Sequence, residues 1–86
     1  MRRAARRDDI EAEIVGALRR VGISVFRVSA LGLPDLLTFS TKRGWLPIEV
    51  KARGETLTAA QREVWNLTRF PIVSSIEDAL KLWGIR

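Results

Sequence analysis

Two carboxylates and a lysine lie close together in the middle of this 86-residue chain. Asp35 opens an apolar, β-prone run, and Glu49 and Lys51 lie two residues apart in a second run after a glycine-containing turn. Because side chains alternate along a strand, Glu49 and Lys51 share one face, and Ile48 and Val50 share the other, which can be buried. Charges are rarely buried without a partner or a metal ion. The pattern therefore predicts a metal site near one end of a β-hairpin.

The absence of histidine and cysteine restricts the chemistry of this site. Acid–base catalysis by imidazole and thiolate zinc sites are excluded, so a metal must be held by oxygen, which favours Mg²⁺, Mn²⁺ or Ca²⁺. Asp35 and Glu49 supply carboxylate oxygens, and the backbone carbonyl of Val50 supplies another. Lys51 is placed to stabilise the attacking water or a phosphate, and Glu11 to complete the shell directly or through water. This set suits metal-assisted hydrolysis of a phosphodiester.

Glu11 belongs to a predicted amphipathic helix over residues 9–21. Its apolar stripe follows the 3.6-residue period, at Ile10, Ile14, Ala17, Leu18 and Val21. Glu11 lies on the edge of this stripe, where an acid is either a simple rim residue or a third ligand for the metal. Gly22 is a plausible end of the helix.

Three predicted strands follow the first helix and position the acids. Residues 23–29 alternate as a strand, in which Arg27 either reaches a phosphate or pairs with an acid. Residues 35–40 and 45–52 form the two arms of the hairpin, with a turn at residues 41–44. Pro47 is unusual in a central arm because it cannot donate a ladder hydrogen bond, so it marks a bulge or a strand that begins near Ile48.

Thr58 is a predicted N-cap for a second helix that runs to about Arg69. Its buried stripe includes Leu57, Gln61, Val64, Trp65 and Leu67. Gln61 on the inner side either orders a water or backbone group, or is an ordinary surface residue. A short strand over residues 70–74 and a helix from Ile76 to about Trp83 follow. The order α-β-β-β-α-β-α predicts a small α/β fold, with a mixed central sheet flanked by helices.

The net charge of +5 is concentrated at the N-terminus. Arg2, Arg3, Arg6 and Arg7 lie in a predicted flexible basic arm over residues 1–8, ahead of a single domain over residues 9–86. Such arms often contact nucleic-acid phosphates, although a solubility tail is the alternative. The cations assigned to DNA contact outside the arm are Arg27, Lys42, Arg43 and Arg53.

No segment has the length of a membrane span or the pattern of a signal peptide, so we expect a cytoplasmic protein in a bacterial or phage-infected cell. A chain of this size builds only a thin core, and a homodimer would help to bury what one copy cannot.

Together these residues resemble a known family. The ordered set of Glu11, Gly32-Leu-Pro-Asp35, Glu49-Val-Lys51 and Gln61 is similar to the PD-(D/E)XK nuclease superfamily, and within it to the VRR-NUC (virus-type replication-repair nuclease) group. The chain is also similar to archaeal Holliday junction resolvases, through the first helix and the strand with Arg27. The similarity covers about residues 10–74, which is most of the chain.

The resemblance implies a restriction-endonuclease-like core and a Mg²⁺- or Mn²⁺-dependent DNA endonuclease, often acting on branched DNA such as Holliday junctions or flaps, and usually a homodimer. It implies that Asp35 and Glu49 bind the metal, that Lys51 is catalytic, and that Glu11 and Gln61 support the site. Two alternatives remain open at this point: a non-catalytic nucleic-acid-binding module, and a nuclease subunit that needs a partner protein.

Overall fold

A computed structural model describes residues 7–85, which fold into three helices and four strands. The elements in chain order are α1 (Arg7–Arg20), β1 (Ser24–Arg27), β2 (Leu36–Ser40), β3 (Gly44–Val50), α2 (Ala59–Thr68), β4 (Ile72–Val73) and α3 (Ile76–Leu82). The predicted order α-β-β-β-α-β-α is therefore confirmed. Among these residues, none of the helices combines the length and the apolar character needed to cross a bilayer.

The four strands form one mixed sheet in the order β1-β2-β3-β4. β2 is antiparallel to both β1 and β3, whereas β4 runs parallel to β3. Parallel neighbours require a crossover, and α2 supplies it between β3 and β4. This topology confirms the predicted α/β class with a mixed sheet.

The first helix is longer than predicted at its N-terminal end. It includes Arg7 and Asp8, which were predicted to lie in the flexible arm. Asp8 and Asp9 lie in the first turn, and Arg19 and Arg20 lie in the last. The acids and the arginines therefore both interact favourably with the helix dipole. The arm residues 1–6 lie outside the described part of the chain, so the prediction of their flexibility stays a prediction.

The hydrophobic core lies between one face of the sheet and the helices α1 and α3. The residues buried in this layer include Ile14, Leu18, Val25, Leu36, Ile48, Val50 and Trp83. Thr38 is a fully buried polar residue of the same layer, where its hydroxyl donates to the Leu46 carbonyl (2.6 Å) and accepts from the Trp83 indole (3.1 Å). Val21 was predicted in the apolar stripe but lies after the end of α1 and is 44% exposed.

Pro47 neither forms a bulge nor delays the start of β3, and both predictions for it were wrong. β3 begins at Gly44, and Pro47 pairs regularly with Leu37. The amides of Glu49 and Lys51 donate towards β4, to Pro71 and Val73. By the alternation of the strand, the nitrogen of Pro47 points the same way, where β4 has not yet begun. The missing N–H therefore removes no ladder hydrogen bond.

The second helix is confirmed at its predicted start. Thr58 is the N-cap, and Gln61 completes a capping box, because its side chain accepts from the Thr58 amide (3.0 Å) while the Thr58 hydroxyl accepts from the Gln61 amide (3.2 Å). The predicted burial of this helix is wrong in part. No residue of α2 is fully buried, and Leu67 is 87% exposed.

Candidate functional site

The site forms where β2 begins and β3 ends. Leu36 pairs with Ile48 in the last rung of the β2–β3 ladder, so Asp35 and Glu49 face each other one residue further on. The Asp35 amide donates to Glu49 Oε1 at 3.1 Å, and the Val50 amide donates to Asp35 Oδ2 at 3.1 Å. Each carboxylate therefore satisfies a backbone donor of the opposite chain segment beyond the end of the ladder. Hydrogen bonds of this kind hold both acids in fixed positions.

Glu49 is the most enclosed ionisable residue of the site, with none of its surface exposed. Its Oε2 accepts from Gln61 Nε2 at 3.0 Å and lies 3.3 Å from Lys51 Nζ. Within residues 7–85, every buried side-chain nitrogen and oxygen has a hydrogen-bond partner. Glu49 is thus buried with a cation and two neutral donors, which is the condition under which a charge is tolerated inside a protein.

Burial raises the pKa of the Glu49 carboxyl above its ordinary value, and the nearby negative charge of Asp35 raises this pKa further. The hydrogen bond and the positive charge of Lys51 act in the opposite direction, as does the hydrogen bond from the Asp35 amide. The positive charge of Lys51 thus favours the ionised form of Glu49 against the effect of burial.

Lys51 links Glu49 to Glu55, an acid that was not predicted to belong to the site. Its side chain is only 6% exposed, and Nζ lies 3.3 Å from Glu49 Oε2 and 3.7 Å from Glu55 Oε2. Glu55 also accepts from the Ala52 amide at 2.9 Å through its other oxygen, which orders the loop after β3. The sequence signal for this contact was the separation of four residues between Lys51 and Glu55. That spacing predicts a contact only within a helix, and Glu55 lies in a loop.

Arg7 reaches the site from the first turn of α1. Its NH1 lies 3.3 Å and 3.4 Å from the two oxygens of Asp35, and its Nε lies 3.8 Å from Glu55. Partial burial would lower the pKa of Arg7, but Asp35 and Glu55 outweigh it, so this pKa lies above its ordinary value. Arg7 was assigned to DNA phosphates; in this structure its guanidinium contacts the acids instead.

The loop before β2 brings Asp35 next to the second helix. Gly32 is buried with φ of +82°, and a Cβ built on it would lie 2.9 Å from the Ala60 carbonyl oxygen. Only glycine fits such a close approach with a positive φ. The loop and α2 thereby form an open cleft of about 400 Å³, whose lining includes Arg7, Asp35 and Gln61.

Glu11 lies outside this group of contacts. Its Oε2 accepts from Arg27 Nε at 3.1 Å, so Arg27 takes the second of its two predicted roles, pairing with an acid. Among residues 7–85, no cluster of three or more acidic, histidine or cysteine side chains is arranged to hold a metal ion. The structure therefore brings together Asp35, Glu49, Lys51 and Gln61 and leaves Glu11 in a separate ion pair.

The carboxylate oxygens of Asp35 and Glu49 are suitable ligands for a hard divalent cation. Two carboxylates face each other, and positive groups, Arg7 and Lys51, already lie against them. Oxygen ligands of this kind are those that Mg²⁺ and Mn²⁺ prefer. Val50 contacts Asp35 through its amide, and its predicted carbonyl ligand remains a prediction. Arg7 contacts both oxygens of Asp35, so it would compete with a metal ion for this carboxylate.

The other cations assigned to DNA contact lie in different surroundings. Arg43 lies over the Trp83 ring, 5.5 Å from its centroid, and donates to the Leu82 carbonyl at 3.4 Å. Lys42 and Arg53 are exposed. Arg2, Arg3 and Arg6 lie outside the described residues. The phosphate contacts predicted for all of these cations stay predictions.

Comparison of the chain with protein-family models, with curated proteins and with solved structures gives no significant match. What can be said of its function rests on the geometry of Asp35, Glu49, Lys51 and Gln61, and on the sequence resemblance described above.

Proposed function

We propose that the protein is a metal-dependent DNA endonuclease of the PD-(D/E)XK type, similar to the VRR-NUC group. One observation carries this proposal: Asp35 and Glu49 face each other at adjoining strand ends, with the buried Lys51 ammonium 3.3 Å from Glu49. Chance rarely places two acids and a lysine in one enclosed corner of so small a fold, because each buried charge has a desolvation cost. A catalytic role gives this cost a reason.

In the proposed reaction, Asp35 and Glu49 hold Mg²⁺ or Mn²⁺. When bound, the metal polarises the phosphoryl oxygen and makes its bound water more acidic. Lys51 stabilises negative charge on the water that attacks phosphorus or on the phosphate. The bond between phosphorus and one sugar oxygen breaks, and that oxygen leaves with a proton from solvent. Gln61 holds Oε2 of Glu49 in position at 3.0 Å, and so supports the site without touching the phosphate. Glu11 would support the metal, directly or through water, only if its ion pair with Arg27 were broken.

The proposed substrate is branched DNA, such as a Holliday junction or a flap, processed during replication, recombination or repair in the cytoplasm of a bacterial or phage-infected cell. Arg2, Arg3 and Arg6, with Lys42, Arg43 and Arg53, contact the phosphates. Arg7 and Arg27 contact them only when they leave their ion pairs with Asp35 and Glu11. We also propose a homodimer, in which two sites act on two strands.

A second candidate is a non-catalytic nucleic-acid-binding module, or a nuclease subunit that requires a partner protein. The observation in its favour is that Arg7 and Lys51 already neutralise Asp35 and Glu49. A purely structural ion-pair network would show the same contacts. This candidate predicts DNA binding that survives removal of divalent metal ions, without any cleavage.

The test is cleavage of labelled four-way junction, flap and linear duplex DNA in Mg²⁺, Mn²⁺ or EDTA. Lys51→Ala is compared with Lys81→Ala, which removes an exposed lysine of α3. We expect cleavage that requires the metal, survives Lys81→Ala and disappears in Lys51→Ala. Junction binding without products under any metal would reject the catalytic proposal and support the second candidate.

A further inference from the structure

A second cavity begins at Lys51 and extends along α2. It has a volume of about 260 Å³, and its lining includes Lys51, Leu57, Arg62, Trp65 and Ile72. The open cleft at Asp35 is lined by different residues. Lys51 therefore belongs both to the candidate site, through its 3.3 Å contact with Glu49 Oε2, and to this second cavity, which we call the α2 cavity.

The walls of the α2 cavity are mainly apolar. Leu57, Trp65 and Ile72 supply them, and Trp65 Nε1 donates to the Phe70 carbonyl at 3.1 Å, which fixes the indole in place. Apolar walls with a few polar groups are typical of sites for small organic groups, and such sites measure roughly 300–1,000 Å³ when they hold a drug-sized molecule. At about 260 Å³, the α2 cavity suits a smaller group, such as a single nucleobase.

Two arginines lie beside Trp65 on the same side of α2. Arg62, Trp65 and Arg69 are separated by three and four residues, a spacing that aligns side chains along one side of a helix. Both arginines are exposed, and in the described part of the chain neither pairs with an acid. Arg7 and Arg27, by contrast, are both held by acids. Arg62 and Arg69 are therefore free to bind phosphates, although neither was predicted to contact DNA.

Arg69 has an unusual backbone conformation for its residue type. It ends α2 in the left-handed region, with φ of 53° and ψ of 39°, and among residues 7–85 it is the only non-glycine residue with a positive φ. Glycine is the usual residue at such a helix end, because a Cβ is unfavourable there. The Arg69 guanidinium lies over the Trp65 ring, 4.1 Å from its centroid. This conformation thus holds a cation directly against the aromatic wall of the cavity.

We propose that the α2 cavity holds the base of one unpaired nucleotide of the DNA substrate, with Arg62 and Arg69 on the neighbouring phosphates. Proteins that bind single strands stack bases on aromatic rings, and arginines beside the ring strengthen this contact. Cations without acidic partners are those that phosphates attract most readily. The inference rests on the proposed nuclease function, because it requires DNA at Lys51, and it adds a base-binding subsite to that function.

The position of Lys51 determines which nucleotide occupies the subsite. Its ammonium acts at the cleaved phosphate in the proposed reaction, and its side chain also lines the cavity. The bound base therefore belongs to a nucleotide next to the cleaved bond. A base inside a duplex must be unstacked before it can enter a protein cavity, and the free energy required is least where the base is already unpaired. The subsite therefore favours DNA with an unpaired nucleotide at the cleavage point, such as a flap, over linear duplex.

The first test measures DNA binding in EDTA, so that no cleavage is needed. Fluorescein-labelled duplexes carry a short flap of either polarity, made of thymidine or of abasic nucleotides with the same number of phosphates. Stacking on an aromatic side chain changes affinity by roughly five- to 150-fold per base. From fluorescence anisotropy, we expect the wild type to bind a thymidine flap at least fivefold more tightly than its abasic counterpart. Equal affinities, or no binding at several hundred micromolar protein, would overturn the proposal.

Matched variants identify the ring that contacts the base. Trp65→Leu and Trp65→Phe both lose the donor to the Phe70 carbonyl, but only Trp65→Phe keeps an aromatic ring. We expect the preference for thymidine to disappear in Trp65→Leu and to persist in Trp65→Phe. It should also persist in Trp45→Leu, which removes a 59% exposed indole from the sheet. Circular dichroism shows whether each variant is folded. A preference that survives in folded Trp65→Leu, or is lost in Trp45→Leu, would overturn the proposal.

Arg62→Gln tests the phosphate contact without disturbing the packing of Trp65, because Arg62 is exposed. This variant should bind both flaps more weakly and should reduce the slope of the salt dependence by about one. Arg20→Gln, at an exposed position of α1, is the control and should keep the wild-type slope. Equal slopes for the two variants would contradict the assignment of Arg62 to a phosphate.

The second test locates the base and uses the wild-type protein alone. An iodinated deoxyuridine replaces thymidine in the flap, and the complex is irradiated in EDTA and digested with trypsin. We expect crosslinks in the peptide of residues 63–69, which contains Trp65. Crosslinks confined to Trp45 or Phe26, the exposed aromatic residues of the sheet, would overturn the proposal.

The outcomes separate this inference from the nuclease proposal. Metal-dependent cleavage without a preference for thymidine would reject the base-binding subsite and leave the nuclease proposal in place. A preference for thymidine with crosslinks at Trp65, but without cleavage under any metal, would support the subsite and reject the catalytic role.

Discussion

Asp35 and Glu49 each accept a backbone hydrogen bond from the opposite side of the hairpin. The Asp35 amide donates to Glu49 at 3.1 Å, and the Val50 amide donates to Asp35 at 3.1 Å. The two acids therefore close the hairpin where its ladder ends, and they are part of the fold as well as of the candidate site. A substitution at either acid changes both, so isosteric amides are the appropriate variants.

Lys51 and Glu49 should show strong energetic coupling. Lys51→Met in EDTA leaves a buried carboxylate without its nearest cation, and should lower the free energy of unfolding by about 3 kcal/mol. The double variant Lys51→Met/Glu49→Gln removes both charges and should recover part of this loss. Urea denaturation of the four proteins in this cycle gives the coupling energy. Additive effects would show that the 3.3 Å contact contributes little, and Lys81→Met is the control for losing an exposed lysine.

The free energy of unfolding of the metal-free protein should depend on pH through the titration of Glu49. Its pKa is raised in the folded state, chiefly by burial, so the folded protein binds this proton more tightly than the unfolded chain does. The associated stability is present below the unfolded pKa of about 4.3 and is lost as the pH rises through the folded pKa. The free energy of unfolding of the wild type relative to Glu49→Gln should therefore fall over that window and then level off.

Urea denaturation in EDTA at several pH values measures this difference. Glu63→Gln, at an exposed position of α2, is the control for the loss of one negative charge. A difference that stays constant across the window, or that grows as the pH rises, would contradict the assigned environment of Glu49.

Removal of the Arg7 side chain should strengthen metal binding in the absence of DNA. The guanidinium lies 3.3 Å from Asp35 Oδ1, on an oxygen that the metal would use. The pair is partly exposed, so the competing interaction should be worth up to about 1 kcal/mol, which corresponds to a roughly fivefold change in affinity. Titration calorimetry with Mn²⁺ compares Arg7→Ala with Arg20→Ala, an exposed arginine near the other end of α1. Equal affinities would mean that Arg7 does not compete with the ion for Asp35.

Gln61 should affect activity beyond its role in the helix cap. Thr58→Ala removes the hydroxyl of the capping box and should lower stability by about 1 kcal/mol, with little change in the rate of cleavage per folded molecule. Gln61→Ala also removes the 3.0 Å hydrogen bond to Glu49, so the rate constant for cleavage should fall roughly tenfold or more. Single-turnover cleavage, normalised to the folded fraction, compares the two variants. Equal rates would restrict Gln61 to the cap.

Local sequence signals were enough to predict most of the fold and part of the candidate site. The period of the first helix, the glycine turn of the hairpin and the Thr58 cap are local signals, and the elements they predict all occur. Asp35, Glu49 and Lys51 were found because they lie in one hairpin, where separation along the strand determines position.

The rest depended on contacts that no local pattern encodes. Arg7 reaches Asp35 over 28 residues, and Glu55 meets Lys51 through the path of a loop. Pro47 was misread because its effect depends on where β4 begins, which is set by the crossover and not by the hairpin. Leu67 was placed in the buried stripe from the helical period alone, but no residue of α2 is fully buried and Leu67 is 87% exposed.

The lack of fully buried residues in α2 has a consequence for the native-state dynamics of the chain. A helix without a fully buried residue has little to hold it when its few contacts break, so it belongs to the part of a protein that opens first. The amides of α2 should exchange with deuterium through a local opening, well before those of α1, which contributes Ile14 and Leu18 to the core. Each such opening would break the hydrogen bond from Gln61 to Glu49 and let water reach Glu49. The rate of proton exchange at this carboxyl would therefore be set by the rate at which α2 opens.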